Sequence, residues 1–415
     1  MHSFRAIVLL VALLAAVVLA RPAPTKTTEA TKTLGKRSFK VPRSLNPKIK
    51  RKDGAAAMRK AMRKFGFKHR AAAAAAATPA ANTTGGTENG EVAANPEENE
   101  ALFLSPVKVG GQTMNLDFDS GSSDLWVFST QLSKQAIGAH AAFDSTKSKS
   151  FQAMDGASFL ITYGDGSGAA GTVGLDTVDI GGATVTKQAI EMATAVSQSF
   201  VQDTNTDGLV GLAFSKINTV KPQQQKTFFD NIMNDLEQPV FTADLTNDTT
   251  GTYEFGKIDN TKFKGELTYT AVNSSQGFWQ FPSKSFMVDG QKMENTVGSD
   301  AIADTGTSLL MVDDNVAKAY YAKVKGAVND PQAGGFVYPC DAAMPDIAVA
   351  VGDYMANIPG DQVTFAPVDD AGTMCFGGVQ GNQGADLQIF GDTMFKAQFV
   401  AFNGGNQSLG MAPKN

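Results

Sequence analysis

From about residue 101 onward the chain runs in short apolar-alternating or β-branched stretches, each broken by glycine, aspartate or asparagine. In Met114-Asn-Leu-Asp-Phe118 the residues Met114, Leu116 and Phe118 share one face under the two-residue period of a strand. Phe159–Tyr163, Thr172–Ile180 and Phe399–Phe402 read the same way. This texture fills about 315 residues, more than one sheet sandwich usually holds, so two β lobes are expected, at 91–270 and 271–415. The fold class is therefore all-β and bilobal, with few helices; 223–236 and 314–325 are the best helical candidates. A different pattern precedes these strands. Between Gly54 and Arg70, Met58, Met62 and Phe65 recur at helical spacing with basic residues around the remaining surface. The alanine run 71–77 and a Thr/Asn/Gly/Glu stretch to about Glu100 then read as a linker or processing region.

Two strand ends say nearly the same thing. Asp119-Ser120-Gly121-Ser122-Ser123 and Asp304-Thr305-Gly306-Thr307-Ser308 each follow an apolar run, and each continues into an apolar strand. Each is also followed, 92 and 87 residues after its aspartate, by an apolar-apolar-glycine strand: Leu209-Val210-Gly211 and Ile389-Phe390-Gly391. An internal duplication of this kind predicts two halves related by a pseudo-twofold axis, with the two aspartate turns facing each other. Two carboxylates brought together cannot both ionise cheaply, so one holds a proton that the other lacks. Such a pair can take a proton from a water and give one to a carbonyl oxygen.

Charge divides the chain sharply. Residues 21–80 carry 17 Lys and Arg against Glu29 and Asp53, a net of +15, whereas residues 81–415 carry 18 Lys, no Arg and 39 acids, a net of −21. Residues 1–20 have Arg5 followed by an apolar run to Leu19 and read as a secretory signal, so the basic block reads as a prosegment with its linker over 21–90 rather than a nucleic-acid arm. No second apolar run suggests a membrane span, and the polar C-terminal end suggests no lipid anchor. Export through the secretory route makes an extracellular location the expectation, with the vacuole as the alternative. Cys340 and Cys375 are the only cysteines, and an oxidising compartment pairs them, two buried thiols being the alternative. Asn247, Asn273 and Asn406 head possible glycosylation tripeptides.

The segments DFDSGSSDLWV (117–127), ITYGDGSG (161–168), DGLVGLAFSKINTVKP (207–222), ADTGTSLL (303–310) and IFGD (389–392) resemble the pepsin-like aspartic protease family, closest to its secreted fungal penicillopepsin and aspergillopepsin type. The likeness covers essentially all of residues 100–415. It implies a bilobal β fold with a cleft between the lobes and a monomer that hydrolyses internal peptide bonds of proteins and peptides. It implies no cofactor and no metal, and neither nucleic acid nor membrane as a partner. Asp119 and Asp304 match the catalytic pair, and Ser122 and Thr307 the hydroxyls on their outer oxygens. Ser120 and Thr305 match the side chains that lock the two turns together, with Gly121 and Gly306 in the turns themselves. Tyr163, Gly164, Asp165 and Ser167 match the flap that closes over a peptide, and Trp126 matches the indole that holds the flap tyrosine. Ser120 stands where the family more often has threonine, which keeps the hydroxyl and loses a methyl. The absence of a cysteine pair from the N-terminal half favours the fungal group. Asp165 either admits lysine on the amino side of the cut or simply makes an Asp-Gly turn.

The opposed +15 and −21 blocks make the basic prosegment an intramolecular inhibitor that pairs with carboxylates around the cleft near neutral pH and is released as acid protonates them. High salt at neutral pH is expected to mimic acid in part, because exposed pairs are screened. An inactive binding or inhibitor protein on the same fold is the rival reading, which retention of both aspartates and the flap tyrosine disfavours. Gly166-Ser-Gly-Ala-Ala-Gly171 spells a dinucleotide motif, but strand rather than helix follows it. The one histidine of the body, His140, is expected at the surface, away from any catalytic role.

Overall fold

In a computed structural model, residues 38–45, 53–65, 103–163, 167–204, 206–246 and 251–415 are described. The period-2 expectation holds where it was clearest: Met114, Leu116 and Phe118 are all buried on strand Gln112–Asp119. The runs around 159–163, 172–180 and 399–402 lie in strands Gln152–Thr162, Gly168–Ile180 and Gln398–Asn403. The architecture is the all-β, bilobal pepsin-like one, with few and short helices.

Each half contains the same three-strand device. In the N-terminal half, Gln112–Asp119 pairs in parallel with Gly208–Gly211, which pairs antiparallel with Leu125–Phe128. In the C-terminal half, Asp300–Ala303 pairs in parallel with Leu387–Phe390, which pairs antiparallel with Leu310–Val312. The chain thus leaves the first strand at an aspartate turn, enters the third, and returns much later to insert the middle strand between them. The two apolar-apolar-glycine strands are those middle strands. Each must pass directly beneath the turn, and only glycine fits there. A Cβ on Gly211 would lie 2.5 Å from the Asp124 nitrogen, and one on Gly391 2.1 Å from the Thr307 carbonyl oxygen.

The halves are also joined by main chain. A 13-stranded sheet carries strands Gln398–Asn403 and Ser408–Pro413 from the C-terminal end, pairs the former with Val240–Asp244, and continues through Phe39–Leu45 into the N-terminal half. Strand Phe39–Leu45 comes from the basic block and bridges Gly251–Phe255 to Phe103–Val109. Phe241 and Phe402 stack within the interior that this sheet covers, and Trp279 packs edge-on against both. Each such aromatic, fully buried, contributes on the order of 1.5–3 kcal/mol relative to exposure.

The helical expectations need trimming. Helix Gly54–Lys64 forms as its spacing predicts, starting where the Asp53 carboxylate accepts from Ala56 N at 3.1 Å; residues 66–70 lie outside the described set. The expected helix at 223–236 begins only at Phe228 and runs to Ile232, followed by a 3₁₀ turn Met233–Asp235. Asn218 explains the delay. Its side-chain Oδ1 accepts from Gln225 N at 2.8 Å, holding the segment open until Thr227 caps the helix at Asp230 N. The helix expected over 314–325 spans Asp314–Tyr321, after which Lys323 N and Val324 N bond three residues back and tighten the chain into turns. His140 is buried, not superficial. Its ring stacks on Phe128 at 3.8 Å, with Nδ1 2.8 Å from the Thr206 carbonyl and Nε2 3.3 Å from that of Val201. It sits in a loop, where no periodicity could announce burial. The signal segment 1–20 and the linker from 66 to 102 lie outside the described residues.

Candidate active site

The two aspartate turns meet back to back through a reciprocal set of hydrogen bonds. Ser120 N donates to Thr305 Oγ1 at 3.1 Å, and Thr305 N donates to Ser120 Oγ at 2.9 Å. Each hydroxyl then donates across the interface to the main chain of the opposite half: Ser120 Oγ to the Ala303 carbonyl at 2.8 Å, and Thr305 Oγ1 to that of Phe118 at 2.7 Å. All four groups are buried, so each bond satisfies an atom that water cannot reach. Serine at 120 supplies the whole of this exchange without the methyl that threonine would add.

The grip fixes the carboxylates that precede it. Asp119 and Asp304 are 1% and 0% exposed. Gly121 N donates to Asp119 Oδ1 at 2.8 Å and Gly306 N to Asp304 Oδ1 at 3.0 Å, while Ser122 Oγ and Thr307 Oγ1 donate to the outer oxygens. The glycines have a second use. A Cβ on Gly121 would lie 2.6 Å from Asp304 Oδ1, and one on Gly306 2.5 Å from Asp119 Oδ1. Each half thus leaves room for the other half's carboxyl group.

One cation sits on both carboxylates. Lys64, the last residue of helix Gly54–Lys64, places Nζ 2.6 Å from Asp119 Oδ1 and 2.9 and 3.0 Å from the two oxygens of Asp304. Its side chain is only 6% exposed. The helix reaches this point by burying Ala57, Met58, Ala61 and Met62 against Ile302, Leu309, Met311, Phe376 and Ile389 of the C-terminal half. Burial pushes the Asp119 carboxyl up, but the Lys64 ammonium outweighs it and holds that group below the usual carboxylate range. Burial and the charge of Asp119 prevail at Asp304 despite Lys64, and lift it to about 6. The pair titrates as a unit in which one carboxyl ionises readily and the other keeps its proton far longer.

Over the site stands the hairpin formed by Gln152–Thr162 and Gly168–Ile180. Trp126 Nε1 donates to Tyr163 OH at 3.0 Å, both rings packing on Phe200, and Tyr163 N donates to the Ser167 carbonyl. Gly164 and Asp165, expected in the flap, lie outside the described residues, as does Asn247. A cleft runs between Tyr163 and Ile161 on one side and Ser122 and Gly121 on the other, with Lys64, Phe65 and Phe278 filling part of it. Cys340 and Cys375 form the expected disulfide, joining strand Met374–Gly377 to the segment after Gly335–Pro339. Asn273 and Asn406 are exposed in turns. Sequence reasoning missed Lys64. It is one of 17 basic residues in its block, and only its place at the end of the Met58–Met62 stripe sets it apart.

A family model described as "Eukaryotic aspartyl protease" matches residues 103–414. The chain belongs to the eukaryotic aspartyl protease family and is an aspartic-type endopeptidase. It is 49% identical over 332 residues to Penicillopepsin-1 of Penicillium rubens, covering 80% of this chain and 83% of that one. It is 48% identical over 326 residues to Aspergillopepsin-1 of Aspergillus fumigatus, covering 79% and 82%. A further Aspergillus fumigatus protein, provisionally named an aspergillopepsin A-like aspartic endopeptidase, is 48% identical over 400 residues, 91% of this chain and 92% of that one.

The grip predicts its own test. Thr305→Val keeps the shape but strands Ser120 N, at a cost of about 1–3 kcal/mol for a buried group, and takes from the Phe118 carbonyl one of its two hydroxyl donors, the other being Tyr253 OH at 3.3 Å. Thermal unfolding of the full chain should show a clear fall for Thr305→Val and a small one for Thr305→Ser. Equal melting of the valine variant and the natural protein would contradict the assignment.

Proposed function

We propose that the protein is an exported endopeptidase, made as a precursor, that cleaves internal peptide bonds of proteins in acid by direct attack of a water held between Asp119 and Asp304. The observation that carries this reading is the position of Lys64 Nζ, hydrogen-bonded to both carboxyl groups at once. A single atom there touches both groups, as an attacking water must. The ionised member of the pair, favoured at Asp119, takes the water's proton as the oxygen attacks the scissile carbonyl carbon. The protonated member donates to the carbonyl oxygen, and the tetrahedral intermediate carries both new bonds. The proton taken from water then passes to the leaving amine as the carbon–nitrogen bond breaks, while a hydroxyl of the intermediate returns a proton to Asp304 as the carbonyl re-forms, restoring the pair. Ser122, Thr307 and the two turn amides hold the carboxyl planes, and Tyr163, tied to Trp126, covers the bound peptide. The pair needs one proton in total, which fits work in acid, where one of two buried facing carboxyl groups keeps its proton.

Lys64 also accounts for latency. While it bridges the pair no water or peptide can, and strand Phe39–Leu45 and the Met58–Met62 face hold it in place. The sign of the pH effect follows from Asp119. A carboxylate held below its ordinary range strengthens the docked state above that range, and the contribution disappears as pH falls through the lowered value. Near pH 6 Asp304 takes up a proton first and leaves Lys64 one anionic partner. Protonating Asp119 as well leaves a buried unpaired ammonium, at a cost on the order of 3–5 kcal/mol. That is enough to expel the helix. Residues 1–20 supply the export signal, and the +15 and −21 blocks supply the wider attraction.

Two outcomes test this. After acid activation, Asp119→Asn and Asp304→Asn should each cut casein at about pH 4 at rates lower by about 10²–10⁴, since each removes a proton-transfer partner. Natural rates in either variant would refute the mechanism. Because the Lys64 triad is buried, salt at about 1 M, which screens exposed pairs beyond roughly 3 Å, should leave the neutral precursor unprocessed on a gel, whereas acid converts it. Processing by salt alone would show that exposed pairs, not this one, hold the segment.

A further inference from the structure

Behind the Asp119 turn lies a second pair of acids that the proteolytic mechanism does not use. Asp124 and Glu191 are each 1% exposed, and their carboxyl groups lie within hydrogen-bonding reach of each other. Two carboxylates offer no hydrogen to one another, so such a contact requires a proton. The partners of the remaining oxygens fix where it is. Asp124 Oδ1 accepts from Thr219 N at 2.9 Å and Thr219 Oγ1 at 2.6 Å, with Asn218 Nδ2 at 3.4 Å. Glu191 Oε1 accepts from Asn218 Nδ2 at 3.0 Å. Glu191 Oε2 is buried with no hydrogen-bond partner among the described residues, as expected of an oxygen that itself carries the hydrogen.

Among the described residues no ion pair reaches either carboxyl group. From the catalytic turn the charged neighbour is Asp119, which acts on Asp124; from the flap it is the Tyr163 hydroxyl, which both acids disfavour in its ionised form. From segment 215–222 come only Asn218 and Thr219. Strand Leu125–Phe128 presents Trp126 beside Glu191, and strand Gly168–Ile180 presents Val173. Burial is the chief cause that raises Glu191 well above a normal glutamate, with Asp124 adding to it.

The duplication shows that the fold does not require this pair. Asp124 lies five residues after Asp119, and Leu309 lies five after Asp304. Their carbonyls accept the same bond, from Gly211 N at 2.9 Å and Gly391 N at 3.0 Å. Leu309 is wholly buried in an apolar cluster, so the C-terminal half closes the same turn without any ionisable group.

We propose that Asp124 and Glu191 share one proton and so form a pH-dependent clamp in which Glu191 acts as a positioning residue for the Asp119 turn and the flap. The inference rests on the proposed acid proteolysis for its benefit, though not for its geometry. Asn218 ties the clamp to the Ser123 carbonyl at 3.2 Å and to Gln225 N, and three residues further on Lys221 exchanges both main-chain bonds with Ser158 on the flap's outer strand. Loss of the shared proton sets two buried negative charges face to face and loosens turn and flap together. The sign follows directly. An acid whose folded pKa exceeds its unfolded one stabilises the fold at low pH, and that contribution is lost as pH rises from the ordinary glutamate value towards the raised one.

The test is Glu191→Gln, whose amide NH₂ donates to Asp124 permanently while its oxygen still accepts from Asn218. Thermal unfolding of the full-length chain should fall as the pH rises above the ordinary glutamate range in the natural protein and more gently in the variant. After acid activation, the neutral limb of the peptide-cleavage profile should move upward by about half a pH unit or more, with kcat/KM at about pH 4 within roughly a factor of two. Superimposable melting profiles, or a uniform drop at every pH, would overturn the clamp. If Glu191→Gln does not fold, Asp124→Asn gives the same amide–carboxyl contact and must show the same flattening. Absence of cleavage in all proteins, with the melting difference intact, would refute the proteolytic reading and leave the clamp standing.

Discussion

Everything at the centre of this molecule depends on two small hydroxyls. Ser120 and Thr305 each hold the other's amide and then reach the carbonyl that leads into the opposite aspartate. Four buried hydrogen bonds, each worth about 1 kcal/mol net but costly if half broken, are a modest total against the whole fold. Their importance is geometric. They leave the two turns one relative position, and in that position each glycine's missing Cβ is filled by the other half's carboxyl group. A carboxylate dyad is an electrostatically unfavourable arrangement, and the grip is what keeps it from relaxing apart.

That unfavourable arrangement is then put to use. Lys64 Nζ bridges the two carboxyl groups. On the proposed reading this cation relieves the repulsion and blocks the site near neutrality, and in acid a proton takes over the same task and leaves the site open. The clamp proposed at Asp124 and Glu191 is the same exchange of a proton for an otherwise costly contact. The C-terminal half closes the equivalent turn with Leu309 and needs no such proton.

The sequence disclosed the fold wherever period and punctuation act locally. Alternation at Met114, Leu116 and Phe118 marked a strand that is one, and the two apolar-apolar-glycine runs proved to be the inserted middle strands. The facing of Asp119 and Asp304 was legible because a duplication implies a symmetry axis. What stayed hidden depends on contacts distant in sequence. Asn218 delays the helix at Thr227 by hydrogen bonding to Gln225, and no propensity of the segment 223–227 signals it. His140 is buried by a stacking partner and two carbonyls from other loops. Lys64 differs from the other lysines of its block only through the apolar seat of the helix that carries it, and Glu191 sits in a strand whose register alone brings it to Asp124.

The most direct measurement is a high-resolution crystal structure of the acid-activated protein with the basic segment gone. The account predicts that the turns do not move and that one water occupies the place of the Lys64 nitrogen, within about 3 Å of an oxygen from each of Asp119 and Asp304. Carboxyl groups that have drawn apart, each hydrated separately once the ammonium leaves, would show that Lys64 rather than the hydroxyl grip assembled the pair, and would contradict the account.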